Sequence, residues 1–123
     1  MNKLCFIGSG NMGSAMIFGV VKSKLIDRDK IFVSNKSEKK LNDLKEEWGV
    51  NTTTDNKKAC ENSDVVILAV KPHIIPTVLE EIKDVINKEA IVISVAAGVN
   101  ISDIEKILGK YYKISVSYTH LWA

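Results

Sequence analysis

The sequence predicts an α/β fold: a doubly wound, mostly parallel sheet with helices on both faces, three layers in all. Three observations predict it. Short apolar runs alternate with stretches of helical periodicity, the links between them are short, and a glycine-rich turn directly follows the first run. Short apolar runs bounded by glycine suit strands buried on both faces. Strictly alternating β and α elements with short connections call for parallel strands.

The elements follow in order. Leu4 to Ile7 is the first strand, leading into Gly8-Ser9-Gly10-Asn11-Met12-Gly13. Ala15, Met16, Phe18, Gly19, Val20 and Val21 then recur at helical spacing as far as Lys24. Ile31-Phe32-Val33 is a second strand, ending at Ser34-Asn35-Lys36-Ser37. Ser37 is a helix N-cap with Glu38 in the first turn, and Gly49 stops that helix. Val50 to Thr54 is β-branched and reads as a short strand, and Asn56 to Glu61 as a short helix. Val65 to Val70 is the strongest strand, closed by Lys71-Pro72 because proline cannot continue a central ladder. The spacing of Val78, Leu79, Ile82, Val85 and Ile86 predicts a helix over 75–86. Ala90 to Val95 is another buried strand. Ser102-Asp103-Ile104-Glu105 matches a capping box and predicts a helix to about Leu108, stopped by Gly109. Lys113 to Val116 is the last strand. With the glycine turn on the first strand, the expected strand order is 3-2-1-4-5-6. Phe6, Phe18, Phe32 and Trp48 are expected in the core.

Composition bounds the function. The chain has 123 residues, 46% hydrophobic and 26% charged, and its net charge is only +2. That balance gives no reason to expect a nucleic-acid or membrane-surface partner. No apolar run reaches the ~20 residues of a membrane span, and no secretory leader is evident. Cys5 and Cys60 lie in apolar surroundings, so buried free thiols and a cytoplasmic location are expected. Neither cysteine belongs to a metal-ligand cluster. Arg28 is the only arginine beside 16 lysines, so a bidentate guanidinium site for phosphate would have to use that residue.

The glycine turn carries the chemistry. A GxGxxG string is weak evidence alone, but here it follows a strand and opens a helix. Gly8 allows the tight turn, Gly10 lets the backbone approach a pyrophosphate, and Gly13 permits close helix–strand packing. The helix start then offers N–H groups and the positive dipole end to phosphates. NAD-preferring sites place an acid about 20 residues after the glycines, on the ribose 2′-hydroxyl. This chain has Ser34-Asn35-Lys36-Ser37 there, so NADP(H) is favoured over NAD(H), with NAD(H) still possible. Asn35 and Ser37 would serve equally well as caps of the next helix. Ligands in such sheets sit beyond the carboxyl ends of the strands. Asp55-Asn56, Ala69-Val70-Lys71-Pro72-His73 and Ser94-Val95-Ala96-Ala97-Gly98 therefore border the cleft. Ala69, Ala96 and Ala97 leave room for a flat ring, and Lys71 could face phosphate or substrate. His73 reads as a loop residue, and no catalytic side chain is assigned.

These segments together carry a specific resemblance. Gly10-Asn11-Met12-Gly13 after the first strand, Ala69-Val70-Lys71-Pro72 after the fourth and Ser94-Val95-Ala96-Ala97-Gly98 after the fifth resemble the N-terminal half of pyrroline-5-carboxylate reductase, from about Lys3 to Lys113. The resemblance implies reduction of 1-pyrroline-5-carboxylate to L-proline, the last step of proline synthesis, with the hydride coming from the cofactor. It places Gly8, Ser9, Gly10, Asn11, Met12 and Gly13 at the pyrophosphate, and Ser34 and Lys36, with Asn35 between them, near the 2′-phosphate. It places Asn56 at the adenosine side, and Ala69 to Pro72 and Val95, Ala96 and Ala97 along the nicotinamide half. The family continues into an all-helical domain that dimerises and supplies most substrate contacts. Here residues 1–114 are expected to be the NADP-binding domain. Residues 115–123 lose the family pattern and read as a foreign or frameshifted tail, with the substrate domain missing. Such a piece should bind cofactor and turn over poorly. Two other readings are a related dehydrogenase of the β-hydroxyacid or deazaflavin-linked type, and a non-catalytic NADP-binding module.

Overall fold

The computed structural model describes residues 3–96, 99–109 and 113–116. Six parallel strands form one sheet in the order β3-β2-β1-β4-β5-β6, as the glycine turn on the first strand predicts. The strands are β1 (Leu4–Ile7), β2 (Ile31–Ser34), β3 (Asn51–Thr53), β4 (Val65–Leu68), β5 (Ile91–Ser94) and β6 (Lys113–Val116). The helices are α1 (Asn11–Ser23), α2 (Glu38–Trp48), α3 (Asn56–Cys60), α4 (Ile75–Ile82) and α5 (Ile101–Leu108). Strand β6 runs two residues beyond position 114.

Period-two alternation splits the core into two layers. Leu4, Phe6, Ile31, Val33, Val65 and Ile67 pack with Ile17 of α1 and Leu41 and Leu44 of α2. Cys5, Ile7, Val66, Leu68 and Val92 point the other way, against α3, α4 and Ile104 of α5. Strand β1 is buried along its whole length because both faces are covered. The register levels the strand ends: Ser34, Ile7, Leu68 and Ser94 lie in one row across the sheet. The turns that follow these strands therefore open onto a common edge.

Several helix boundaries follow local chemistry. The Ser37 side chain accepts from the Lys40 N–H, and Gly49 closes α2 at φ 72° while donating to the Lys45 carbonyl. Asp55 caps α3 through the N–H groups of Lys57 and Lys58.

Three expectations need correction. Helix α5 is capped by Asn100, not Ser102: the Asn100 side chain accepts from the Asp103 N–H, and the Asp103 carboxylate accepts from the Asn100 N–H. The same residue pattern occurs twice, offset by two positions, and Ser102 instead donates its hydroxyl to Asn100 Oδ1 at 2.7 Å. The earlier frame keeps Ile104 fully buried. The helix expected over 75–86 ends at Ile82, after a 3-10 turn at Pro72–Ile74. Beyond it, the Val85 carbonyl accepts from Asn62 N and the Ser63 carbonyl from Asn87 N, which draws the chain toward the β4 approach. Phe18 is 43% exposed rather than in the core. Its neighbour Ile17 takes the inward position, and Phe18 meets Trp48 edge-on at 4.8 Å on the outer surface.

The two cysteines are free, buried and face each other across the β1–α3 contact, with sulfurs 2.8 Å apart. Burial, reinforced by the neighbouring Cys60 thiol, pushes the Cys5 thiol well above its ordinary range. A thiol starts to ionise near pH 8.5 once unfolded. The folded chain holds that proton to higher pH, so stability is fully present below pH ~8.5 and declines as pH rises above it. Urea unfolding between pH 7 and 10 should show this decline, and Cys5→Ala should remove part of the slope. Leu68→Ala, at a fully buried position in a central strand, should cost about 2–5 kcal/mol in the same assay.

Candidate functional site

Strand β1 delivers the chain into the glycine turn, and the turn is seated by its neighbours. Gly8 has φ +87°, and a Cβ there would lie 2.7 Å from the Ala69 carbonyl oxygen. Only glycine combines that backbone angle with so close an approach. A Cβ on Gly13 would lie 3.0 Å from the Ala69 Cβ, so α1 rests directly on the end of β4. Gly10 differs: nothing lies within 4 Å of where its Cβ would be, and the space there is open cleft. Gly10 is also the N-cap of α1, with no side-chain cap and no acid in the first helical turn. The helix start is thus shaped and charged to receive an anion.

A cleft of about 390 Å³ opens above this turn. Gly8, Ser9 and Gly10 line its floor, with Ser34, Asn35 and Lys36 from the end of β2. Asn56 closes one side, and Ala69, Val70 and Lys71 come from the end of β4. No lining residue among those described is acidic, and two are lysines. Both lysines are exposed, so their field is screened yet still favours phosphate over any cation. Arg28 plays no part here. It precedes β2 at the far end of the sheet, and its stem lies against Gly49.

Hydrogen bonds tie the rim together. The Gly8 N–H donates to the Ser34 carbonyl at 2.8 Å, joining turn to β2. The Ser34 hydroxyl donates to Asn56 Oδ1 at 2.6 Å, and the Asn56 amide donates to Glu81 of α4 at 3.4 Å. Asn35 spends both polar atoms inside the protein: Oδ1 accepts from the Ser37 N–H at 2.8 Å, and Nδ2 donates to the Ser9 hydroxyl. The Ser14 hydroxyl donates to the Ser9 carbonyl at 2.7 Å.

The structure brings ten of the expected site residues to this one cleft. Others lie apart. Met12 is exposed on α1, Gly13 is used in packing, and Asn11 begins the helix. Pro72 and His73 border a separate groove between α4 and α5. Val95 and Ala96 pack toward opposite core layers, and Ala97 lies outside the described residues. The apolar wall of Ile7, Ile74 and Val78 was not anticipated. Its signal was the four-residue spacing of 74 and 78. Among the described residues no helix is long and apolar enough to cross a membrane.

Comparison with known proteins places this geometry. The profile of one family, described as NADP oxidoreductase coenzyme F420-dependent, matches residues 3–98. The chain is 42% identical over 106 residues to a pyrroline-5-carboxylate reductase of Methanosarcina acetivorans, covering 86% of this chain and 39% of that protein. It superposes on a pyrroline-5-carboxylate reductase from Coxiella burnetii with a TM-score of 0.86 at 45% identity, covering 92% of this chain and 42% of that one. A Plasmodium falciparum pyrroline carboxylate reductase with NADP bound gives a TM-score of 0.77 at 31% identity, with 91% of this chain and 40% of that one covered. The chain thus spans about two fifths of the length of these proteins.

Two glycines separate folding from binding. Gly8→Ala combines a strained angle with a backbone clash and should destabilise the fold by roughly 2 kcal/mol or more, read by thermal unfolding. Gly10→Ala meets open space at an ordinary φ of −63°, so its unfolding curve should overlay that of the unchanged chain. Any anion affinity at the helix start should still fall, as calorimetry with inorganic pyrophosphate would show.

Proposed function

The chain belongs to the NADP oxidoreductase coenzyme F420-dependent family, and from that premise we propose that it is the cofactor-binding part of an NADP(H)-dependent reductase of 1-pyrroline-5-carboxylate. The observation that carries this reading is the cleft: an open Gly10 at a helix start, beside Ser34 and Lys36 and without a lining acid. The relatives at 42% and 45% identity, both named pyrroline-5-carboxylate reductase, support the substrate. The NADP bound in the Plasmodium falciparum protein supports the cofactor.

In this reading residues 1–114 form the dinucleotide-binding unit. The backbone of Gly8 to Gly13 holds the diphosphate. Lys36 takes the 2′-phosphate, beside Ser34, whose hydroxyl is committed to Asn56 and would have to turn to reach it, and an acid at the end of β2 would have repelled that phosphate. Asn56 lies at the adenosine side. Ala69, Val70 and Lys71 border the nicotinamide half. When bound, the reduced nicotinamide would supply a hydride to the ring C=N carbon, with a proton from solvent on the ring nitrogen, giving L-proline. The chain's own contribution is orientation and exclusion of water, and no side chain is assigned a proton-transfer role. NAD(H) would bind more weakly, without its phosphate contacts. Assembly into homo-oligomers through a helical domain belongs to the same proposal. So does a cytoplasmic location, which suits the two free buried thiols.

The family's description also names coenzyme F420, a deazaflavin, which keeps a deazaflavin-linked oxidoreductase as a second reading. The electron acceptor separates the two. With the chain in large excess to reveal weak turnover, NADPH oxidised on adding 1-pyrroline-5-carboxylate supports the first. Oxidation on adding an oxidised deazaflavin supports the second. Calorimetric titration should show NADPH binding more tightly than NADH. Lys36→Ala should weaken NADPH severalfold and leave NADH unchanged, because an exposed charge on one phosphate contributes roughly 0.5–1 kcal/mol. Equal affinities for both nucleotides in the unchanged chain would overturn the assignment of Ser34 and Lys36.

A further inference from the structure

We propose that Asn35 is a positioning residue that couples the two phosphate ends of the cleft, rather than a ligand of the 2′-phosphate. The inference rests on the cofactor reading above and deepens it. A backbone N–H can only donate, so the Ser37 N–H, 2.8 Å from the Asn35 side chain, fixes which end is Oδ1. The amide nitrogen must then face Ser9, and it donates to the Ser9 hydroxyl oxygen. Oδ1 and one amide N–H of Asn35 are thus committed inside the protein, and only the second N–H remains to face the cleft. Ser9, in turn, is buried in the floor of the cleft and has accepted that bond, so its own proton is available to an acceptor there. The Gly8 N–H to the Ser34 carbonyl fixes the backbone on either side, and Ser14 holds the Ser9 carbonyl. Among the described residues, Asn35 is therefore the one side chain that bonds both the glycine turn and the start of α2. Its work is to aim the Ser9 O–H into the diphosphate half.

The diphosphate is common to NADPH and NADH, and the 2′-phosphate is not. Calorimetric titration of the chain with each nucleotide separates the roles. Asn35→Ala should weaken both by the same factor, about tenfold for one buried hydrogen bond, leaving their ratio unchanged. Asn35→Asp separates holding the turn from aiming the proton. Its carboxylate still accepts from the Ser37 N–H, but it pairs with Ser9 only by accepting the Ser9 hydroxyl proton, which is then turned away from the diphosphate. The added charge stands where the 2′-phosphate would bind. NADH affinity should therefore stay as weak as in Asn35→Ala, and NADPH should fall further. A loss confined to NADPH in Asn35→Ala, or no loss for either nucleotide, would overturn the proposal.

A second readout does not depend on the cofactor. Amide hydrogen exchange in the nucleotide-free chain should speed up at residues 8–13 in Asn35→Ala, be restored in Asn35→Asp, and stay unchanged in the strands. If the unchanged chain bound neither nucleotide, the cofactor reading would fall, and the exchange data would still decide whether Asn35 holds the turn. Unchanged exchange at 8–13 would overturn that too.

Discussion

The site depends on one close approach: the glycine turn lies against the end of β4 at Ala69. Gly8 and Gly13, five residues apart, both touch Ala69, one through its backbone and one through its methyl group. That contact sets how near α1 comes to the sheet and where its first amides point. It also leaves Gly10, between them, facing open space. A side chain at either contact position would push the helix away from the strand, and the uncapped start of α1 would move with it. The strand order makes the approach possible, because β1 and β4 are neighbours at the point where the winding reverses.

A polar network on the other side of β1 completes the cleft. The Ser34 carbonyl holds the turn, Asn35 bridges to Ser9, and the Ser34 hydroxyl donates a hydrogen bond to Asn56 Oδ1. These residues come from three separate segments, yet they meet because the parallel register brings the strand ends level. Buried and half-buried polar groups stay in place only when bonded, so the network is fixed by the same energetics that hold the core. The surplus of positive over negative charge on the lining comes from two exposed lysines and helix geometry, not from arginine.

The sheet also divides the labour between its faces. One layer, under α1 and α2, carries the open start of α1. The other, under α3, α4 and α5, carries the apolar wall of the cleft and the buried thiol pair. The second layer holds more of the buried side chains, so the α4 wall rests on the more extensive packing.

The sequence by itself determined everything that depends on neighbours along the chain. The apolar runs at 4–7, 31–33 and 65–70 marked strands covered on both faces, although the last of these stops at Leu68, and the alternation of elements marked parallel order. Ser37 and Gly49 bounded α2, and three glycines at fixed spacing announced a turn built for close approach. Tertiary structure alone decided the partnerships between distant residues. A capping pattern that occurs twice near residue 100 is used in its Asn100–Asp103 frame. The end of α4 was set by carbonyls that accept from Asn62 and Asn87. Phe18 went outward because Ile17 claimed the core. The bond from Asn35 to Ser9 spans 26 residues, and the contact of Cys5 with Cys60 spans 55. Local propensity acts within a turn or two of helix, whereas these pairings exist only once the sheet order has brought their strands side by side.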